Sequence, residues 1–394
     1  MSKQEIVLCH PVRTAIGSFG GSLKSISAMM LGGVVIRETL RRSGLDPEKI
    51  DGVVMGNVIQ AGNRMNPARQ AAIAGGLPDA VPAFTVNRVC GSGVQAIVSA
   101  AQEISFAYSK AIIAGGMENM DMAPYLLPTG RWGARMGNVQ ALDSMLHDGL
   151  VDAFSQKHSG WHTEDLVDKY NISREDQDRW ALRSQLNFSA AQHTGVFDAE
   201  IAAVEIETKQ GIHQFKRDEA NRPDTTLEIL QNLKPAFRTP GTITAGNAPG
   251  LNSGAAALIV AERSFAEKNN LQAFARLVSF GIAAVEPGMF GIGPVPAVKQ
   301  ALQRANWTLD QLDRIEINEA FAAVPLAVMR ELGIDENIVN VEGGAIAHGH
   351  PIGATGAILT TRLIHSLQRA GLKRGLVTLC IGGGQGIALA IELL

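Results

Sequence analysis

Asn87-Arg88-Val89-Cys90-Gly91-Ser92-Gly93-Val94-Gln95-Ala96 is the stretch on which the reading of this chain turns. Ahead of it, Val81-Pro82-Ala83-Phe84-Thr85-Val86 is apolar and β-favouring; behind it, Val94 to Ala107 is Ala-rich with apolar residues at helical spacing. A cysteine between a strand and a helix, followed by Gly-Ser-Gly, has the pattern of a nucleophile elbow. The glycines let the backbone turn tightly and let a substrate come close. The free N–H groups and positive dipole end of the helix favour a thiolate, and the same N–H groups can hold a developing oxyanion. Cys90 as a small buried hydrophobe at a tight turn satisfies this local pattern too, so the decision passes to the rest of the chain.

With 394 residues, 46% hydrophobic and 19% charged, the chain has material for two domains or one large layered domain around a substantial core. A net charge of -3 leaves no nucleic-acid footprint. Its three cysteines, Cys9, Cys90 and Cys380, are odd in number and widely spaced, unlike a disulfide framework. No Cys-x-x-Cys or His-x-x-x-His pattern suggests a metal. No apolar run reaches the length of a membrane span. Met1 to Glu5 passes directly into Ile6-Val7-Leu8-Cys9, a first strand rather than a signal peptide. A cytoplasmic setting is the expectation.

Strands alternate with helices. Ile6–Cys9, Asp51–Val58, Lys110–Glu118, Gly254–Val260, Leu312–Ile317, Ile338–Val341 and Leu376–Cys380 read as strands. His10 to Ser22 reads as a loop. Ala28–Ser43, Asn66–Gly75, Ser173–His193, Glu262–Asn269, Val295–Ala305, the stretch that follows Asn318-Glu319-Ala320-Phe321 up to Leu332, and the one ending at Arg369 read as helices. This is an α/β pattern with a largely parallel or mixed sheet. Between about 119 and 248 the composition turns polar, with an irregular, basic run from Gly211 to Pro223. It reads as a large insertion over the core with a task in binding. The order strand, helix, strand, reactive residue, helix, strand, Gly turn occurs twice, matching Cys90 to His350 and Gly115-Gly116 to Gly382-Gly383. Residues 1–268 form the first half and 269–394 the second. Packed about a pseudo-two-fold axis, they would bring Cys90 and His350 together.

Taken singly, His350 reads as a satisfied histidine, Cys380 as core packing and Asn318 as a helix cap. Their joint appearance with Cys90 in matched turns changes that reading. Val89-Cys90-Gly91-Ser92-Gly93, Asn318-Glu319-Ala320-Phe321, Gly349-His350-Pro351-Ile352-Gly353 and Cys380-Ile381-Gly382-Gly383-Gly384 occur in the order in which the thiolase family carries its motifs. The chain resembles that family over nearly its whole length.

The resemblance implies a five-layered αβαβα fold of two duplicated halves with an inserted loop domain. It implies a reversible Claisen condensation of two acetyl-CoA to acetoacetyl-CoA and CoA through an acyl-cysteine. Cys90 would be the nucleophile, His350 its base, and Cys380 the second acid/base acting at the α-carbon. Backbone N–H groups of Cys90 and Gly382 would hold one oxyanion, and His350 with an Asn318-held water the other. Coenzyme A would meet His158, Arg222, Phe237, Ala248, Pro249, Gly250, Phe290 and Phe321. CoA is substrate here; no permanently bound cofactor, metal, nucleic-acid partner or membrane partner is implied.

A homodimer or homotetramer is expected, with Leu126 to Met136, including Arg131, Trp132 and Arg135, as a candidate contact. The chain departs from the family pattern at Ala248-Pro249-Gly250, where a serine is usual, at Trp161-His162, and at His348. The alternative activity is a 3-ketoacyl-CoA thiolase acting on longer chains. A related decarboxylating ketoacyl synthase fits Cys380 poorly. A non-catalytic CoA- or lipid-binding module is expected to lack one of the four reactive side chains.

Overall fold

Nine longer strands build one continuous sheet: β1 Ile6–Thr14, β2 Gly52–Gly56, β3 Ala83–Val86, β4 Ala111–Asn119, β5 Asn252–Glu262, β6 Ala273–Ala284, β7 Arg314–Ile317, β8 Arg374–Ile381 and β9 Gln385–Leu393. Their order is β3-β2-β4-β5-β1-β6-β9-β8-β7 in a computed structural model that describes residues 4–394. The reading of Met1 to Lys3 as the lead-in to the first strand lies outside the described residues. The longer helices are α1 Ala28–Ser43, α2 Pro67–Ala74, α3 Ser92–Ser105, α4 Ser159–Tyr170, α5 Arg174–His193, α6 Pro294–Ala305, α7 Ala323–Leu332 and α8 Thr355–Ala370.

Strand pairing repeats between the halves. β3, β2 and β4 are parallel, then β5 and β1 follow antiparallel. In the second half β7 and β8 are parallel, then β9 and β6 follow antiparallel, with Val339 bridging Ile315 in the place of β3. Even the bulges correspond: one lies between Cys9 and Val12, the other between Leu277 and Ser279. The halves join along β1 and β6, where Val7 faces Arg276 and Leu8 faces Ala275.

Period-two alternation explains the five layers. Val7, Cys9, Ile113 and Ile259 face α1 and α2; Ile6, Leu8, Ile112, Val260, Leu379 and Ile381 face the central α3 and α8; Leu376 and Cys380 face α6 and α7. Strands covered on both faces must be apolar throughout, which is why Ala111–Ala114 and Gly254–Ala261 read as unbroken runs.

Some readings are corrected here. β1 continues through His10 and Pro11 as a bulge, with His10 at φ 46°. Ile338–Val341 shrinks to a single bridge. Strands β6 and β9 were not expected; their glycines and charged residues interrupt the apolar pattern. The run from Gly211 opens with strand Gly211–Phe215, paired with Val204–Thr208. Strand register also replaces the residue matches across the repeat. Asn57 and Asn318 each follow the corresponding strand, β2 and β7. That aligns Glu118 with Cys380 and leaves the Gly382-Gly383 turn without a match in Gly115-Gly116. Cys90 lies two residues ahead of α3 and His350 five ahead of α8.

The second half also buries Glu316, whose Oε2 has no partner. Burial pushes this carboxyl from 4.5 up to about 8, with Arg362 acting in the opposite sense. The folded chain therefore keeps a proton that the unfolded chain releases, and folding loses stability as pH rises from about 5 to about 8. Glu316→Gln is expected to raise Tm by about 2–4 °C at pH ~8.5 and to leave it nearly unchanged at pH ~5. Equal shifts at both pH values in thermal unfolding would contradict a buried neutral carboxyl.

Candidate active site

The Cys90 elbow is held by its own side chains. Val89 takes φ 44°, a strained value for a β-branched residue. Ser92 Oγ donates to Val89 O at 2.7 Å and accepts from Arg88 N at 2.9 Å, which locks the turn. The sulfur ends half-buried at the start of α3.

The opposing loop is anchored as firmly. His350 N donates to Asn252 Oδ1 at 2.9 Å. Thr355 Oγ1 donates to Pro351 O at 2.9 Å, so its contact with His350 Nδ1 at 2.7 Å makes that nitrogen the proton carrier. Nε2 is left with its lone pair, and Asn318 Nδ2 approaches it at 3.3 Å. Burial lowers the His350 pKa to about 4, so the ring is neutral. Asn318 Oδ1 is buried without a partner.

The two halves meet where α3 crosses α8. A Cβ on Gly93 would lie 2.4 Å from Ala357 N, and one on Gly356 would lie 2.5 Å from Val94 N. Only glycine fits at either place. The third element is the β8–β9 turn, where Gly383 and Gly384 both take φ 81°. It brings Gly382 to the Cys90 thiol, where the backbone N–H groups of Gly382 and of Cys90 itself favour the charged sulfur.

These pieces enclose a cavity of about 200 Å³, lined by Cys90, His350, Gly382, His158, Phe237, Ala248, Pro249, Gly250, Phe290 and Phe321 among others. His158 stacks on Phe237 at 4.6 Å between ring centroids, and Phe237 meets Phe321 edge-on at 5.8 Å. Asn318 and Cys380 stand behind the wall, fully buried. Arg222 is apart from it: exposed, with Nη1 donating to Ala245 O at 3.3 Å. Trp161 lies against Lys157 and Arg238 rather than in the cavity. His348 is buried with both ring nitrogens unpartnered.

The thiols contradict the expectation of a lowered pKa. Burial pushes Cys90 up to about 11, the Gly382 and Cys90 N–H groups pull it back, and nearby Glu118 raises it again. Burial also drives Cys380 well above the usual thiol range, and Cys90 lies near enough to raise it further. Both rest as neutral thiols at pH 7.

Glu118 had not been singled out in the sequence. It accepts from Asn57 Nδ2, Val58 N, Ile59 N and Gly353 N at 2.7 to 3.3 Å. Burial lifts it to about 7 against those donors. Thr355, which sets the tautomer of His350, was also missed. A threonine five residues past a histidine is an ordinary helix-start signal, and only the folded loop links the two.

Family models described as "Thiolase, N-terminal domain" and "Thiolase, C-terminal domain" match residues 6–264 and 271–393. The chain belongs to the thiolase family. It is 50% identical over 389 residues to an acetyl-CoA acetyltransferase of Pseudomonas aeruginosa, covering 98% of this chain and 99% of that one. It is 45% identical over 389 residues to a cytosolic acetyl-CoA acetyltransferase of Mus musculus, covering 98% of each. The crystal structure of a Bacillus anthracis acetyl-CoA acetyltransferase superposes with TM-score 0.97 at 43% identity, covering 100% of this chain and 99% of that one. Human mitochondrial 3-ketoacyl-CoA thiolase superposes with TM-score 0.97 at 40% identity, with 100% of both chains covered. The fold is thus the five-layered thiolase fold, and among the described residues no helix is long and apolar enough to cross a membrane.

Proposed function

We propose that the chain is an acyltransferase that condenses two acetyl-CoA into acetoacetyl-CoA and CoA, and runs the reverse thiolysis. One observation carries the reading: Cys90, His350 and Gly382, drawn from separate loops, border one largely apolar cavity. The neutral Cys90 thiol attacks the thioester carbonyl as His350 Nε2 takes its proton, so no free thiolate need accumulate. The N–H groups of Cys90 and Gly382 receive the oxyanion. CoA leaves with the proton that His350 returns.

Cys380 gives up its thiol proton to solvent and, as the thiolate, takes an α-proton from the second acetyl-CoA. Its enolate oxygen is stabilised by His350 and by Asn318 through a bound water, the role that family resemblance assigns it. The α-carbon attacks the acyl-cysteine carbonyl, the C–S bond breaks, and the Cys90 thiolate takes a proton from solvent to restore the resting thiol.

His158, Phe237, Ala248, Pro249, Gly250, Phe290 and Phe321 line the pantetheine path, and Arg222 lies further out, where the phosphates end. No cofactor is held between turnovers. The chain divides at 268/269, with the loop domain inserted at about 119 to 248, a division supported by the repeated strand pairing. It works in the cytoplasm as a homo-oligomer. The exposed side chains Leu127, Trp132 and Met136, beyond the short ribbon of Tyr125–Leu126 with Leu142–Asp143, supply a contact surface.

Thiolysis of 3-ketoacyl-CoA substrates of increasing chain length tests the assignment. The expected result is highest kcat/KM with acetoacetyl-CoA, falling about tenfold or more by six to eight carbons. A rise with chain length would move the assignment to a longer-chain 3-ketoacyl-CoA thiolase, and no turnover of any member would end it.

A further inference from the structure

Helix α5 buries a face that is polar over much of its length. Gln177, Asp178, Trp180, Ser184 and Gln185 are all buried there, beside Ala181, Phe188 and Ala191. An apolar stripe is enough to seat a helix, and each buried polar group costs stability unless it is matched. The partners of this face explain its chemistry.

Glu319, the residue after Asn318, is the centre of the first group. Its Oε1 accepts from Trp180 Nε1 at 2.9 Å and Asn340 Nδ2 at 3.0 Å. Its Oε2 accepts from Ser184 Oγ at 2.8 Å and Ile346 N at 3.0 Å. Ser184 Oγ also accepts from Gly344 N at 2.9 Å. One carboxylate therefore joins three things: the strand end bearing Asn318, the loop that leads to His350, and α5. Gln185 is the second link. Its Nε2 donates to Ile346 O at 3.0 Å, while its Oε1 accepts from Arg222 N at 2.8 Å and Asn221 Nδ2 at 2.9 Å. The same loop is thereby tied to the segment that carries Arg222.

We propose that Glu319 and Gln185 are positioning residues that couple the coenzyme-binding segment to the acid/base pair. Glu319 sets Asn318 and the His350 loop in mutual register. Gln185 makes that register depend on where Asn221 and Arg222 sit. Neither side chain touches the reacting atoms; each acts through backbone that does. The inference rests on the thiolase reading above.

The test compares thiolysis of acetoacetyl-CoA with CoA and with pantetheine as acceptor, the latter lacking the nucleotide. Ser184→Ala removes one donor to Glu319, and is expected to lower kcat about 5- to 20-fold with KM for both acceptors within about twofold of wild type. Glu319→Gln turns an N–H₂ toward groups that are themselves donors, and is expected to lower kcat about 100-fold, again without a matching change in KM. Gln185→Leu is expected to lower kcat about fivefold and to cut the preference for CoA over pantetheine about tenfold, because Arg222 loses its backbone anchor.

A purely structural role would lower Tm and leave kcat per folded enzyme unchanged. That result in Ser184→Ala overturns the proposal, and Ser184→Ala decides alone if Glu319→Gln does not fold. An unchanged acceptor preference in Gln185→Leu overturns the coupling. An active wild type with fully active variants sinks this inference only; an inactive wild type sinks the thiolase reading and this inference with it.

Discussion

Cys90→Ala is expected to lower thiolysis and condensation at least about 10⁴-fold and to abolish acyl transfer to the protein. The sulfur belongs to the cavity lining, can hold an acyl unit covalently, and lies under the influence of the backbone N–H groups of Cys90 and Gly382. Alanine keeps the elbow, because the turn is locked by Ser92 and not by the thiol. Folding and thermal stability should thus stay near wild type while chemistry is lost. Incubation with acetyl-CoA followed by peptide mass spectrometry checks this. An acetyl group retained on any other residue at wild-type extent would remove Cys90 from the nucleophile's role.

Cys380→Ser is expected to separate the half-reactions. Serine is close in size and the site is fully buried, so the fold should tolerate it. Acylation of Cys90 should proceed to wild-type extent. Exchange of the acetyl-CoA α-protons with deuterated solvent, and condensation with it, should fall about 10²- to 10⁴-fold. A hydroxyl is a far weaker acid than a thiol and cannot exchange that proton at useful rates. Cys380 is itself held well above the usual thiol range by burial and by Cys90 beside it. Undiminished exchange in the variant would place the α-carbon base elsewhere.

Much of this was legible in the residues. The apolar runs at Ala111–Ala114 and Gly254–Ala261 carried much of the strand order. Cys90, His350 and Gly382 were readable because each sits in a local pattern that glycine makes conspicuous. The misreadings have physical causes. Strands β6 and β9 are held by pairing with neighbours rather than by their own alternation, so no local pattern announces them. The repeat was aligned on glycine pairs, whereas register follows hydrogen-bonded partners, and that placed Glu118 opposite Cys380. A helix dipole favours the thiolate by about 1 kcal/mol. Burial outweighs it at Cys90. The roles of Glu118 and Glu319 are not legible in the sequence, because a carboxylate at a strand end has no signature until its four donors are known.

The contact between Gly93 and Gly356 has a consequence for how this enzyme can change over time. The gap between nucleophile and base is gauged by main chain resting on main chain, with no side chain as a shim. The outer helices and the reactive groups can differ between the halves without touching this contact, whereas a single added methyl here would act as a wedge between them. Efforts to retune the enzyme for bulkier substrates therefore have room in the cavity walls, and none at the hinge pin beneath them.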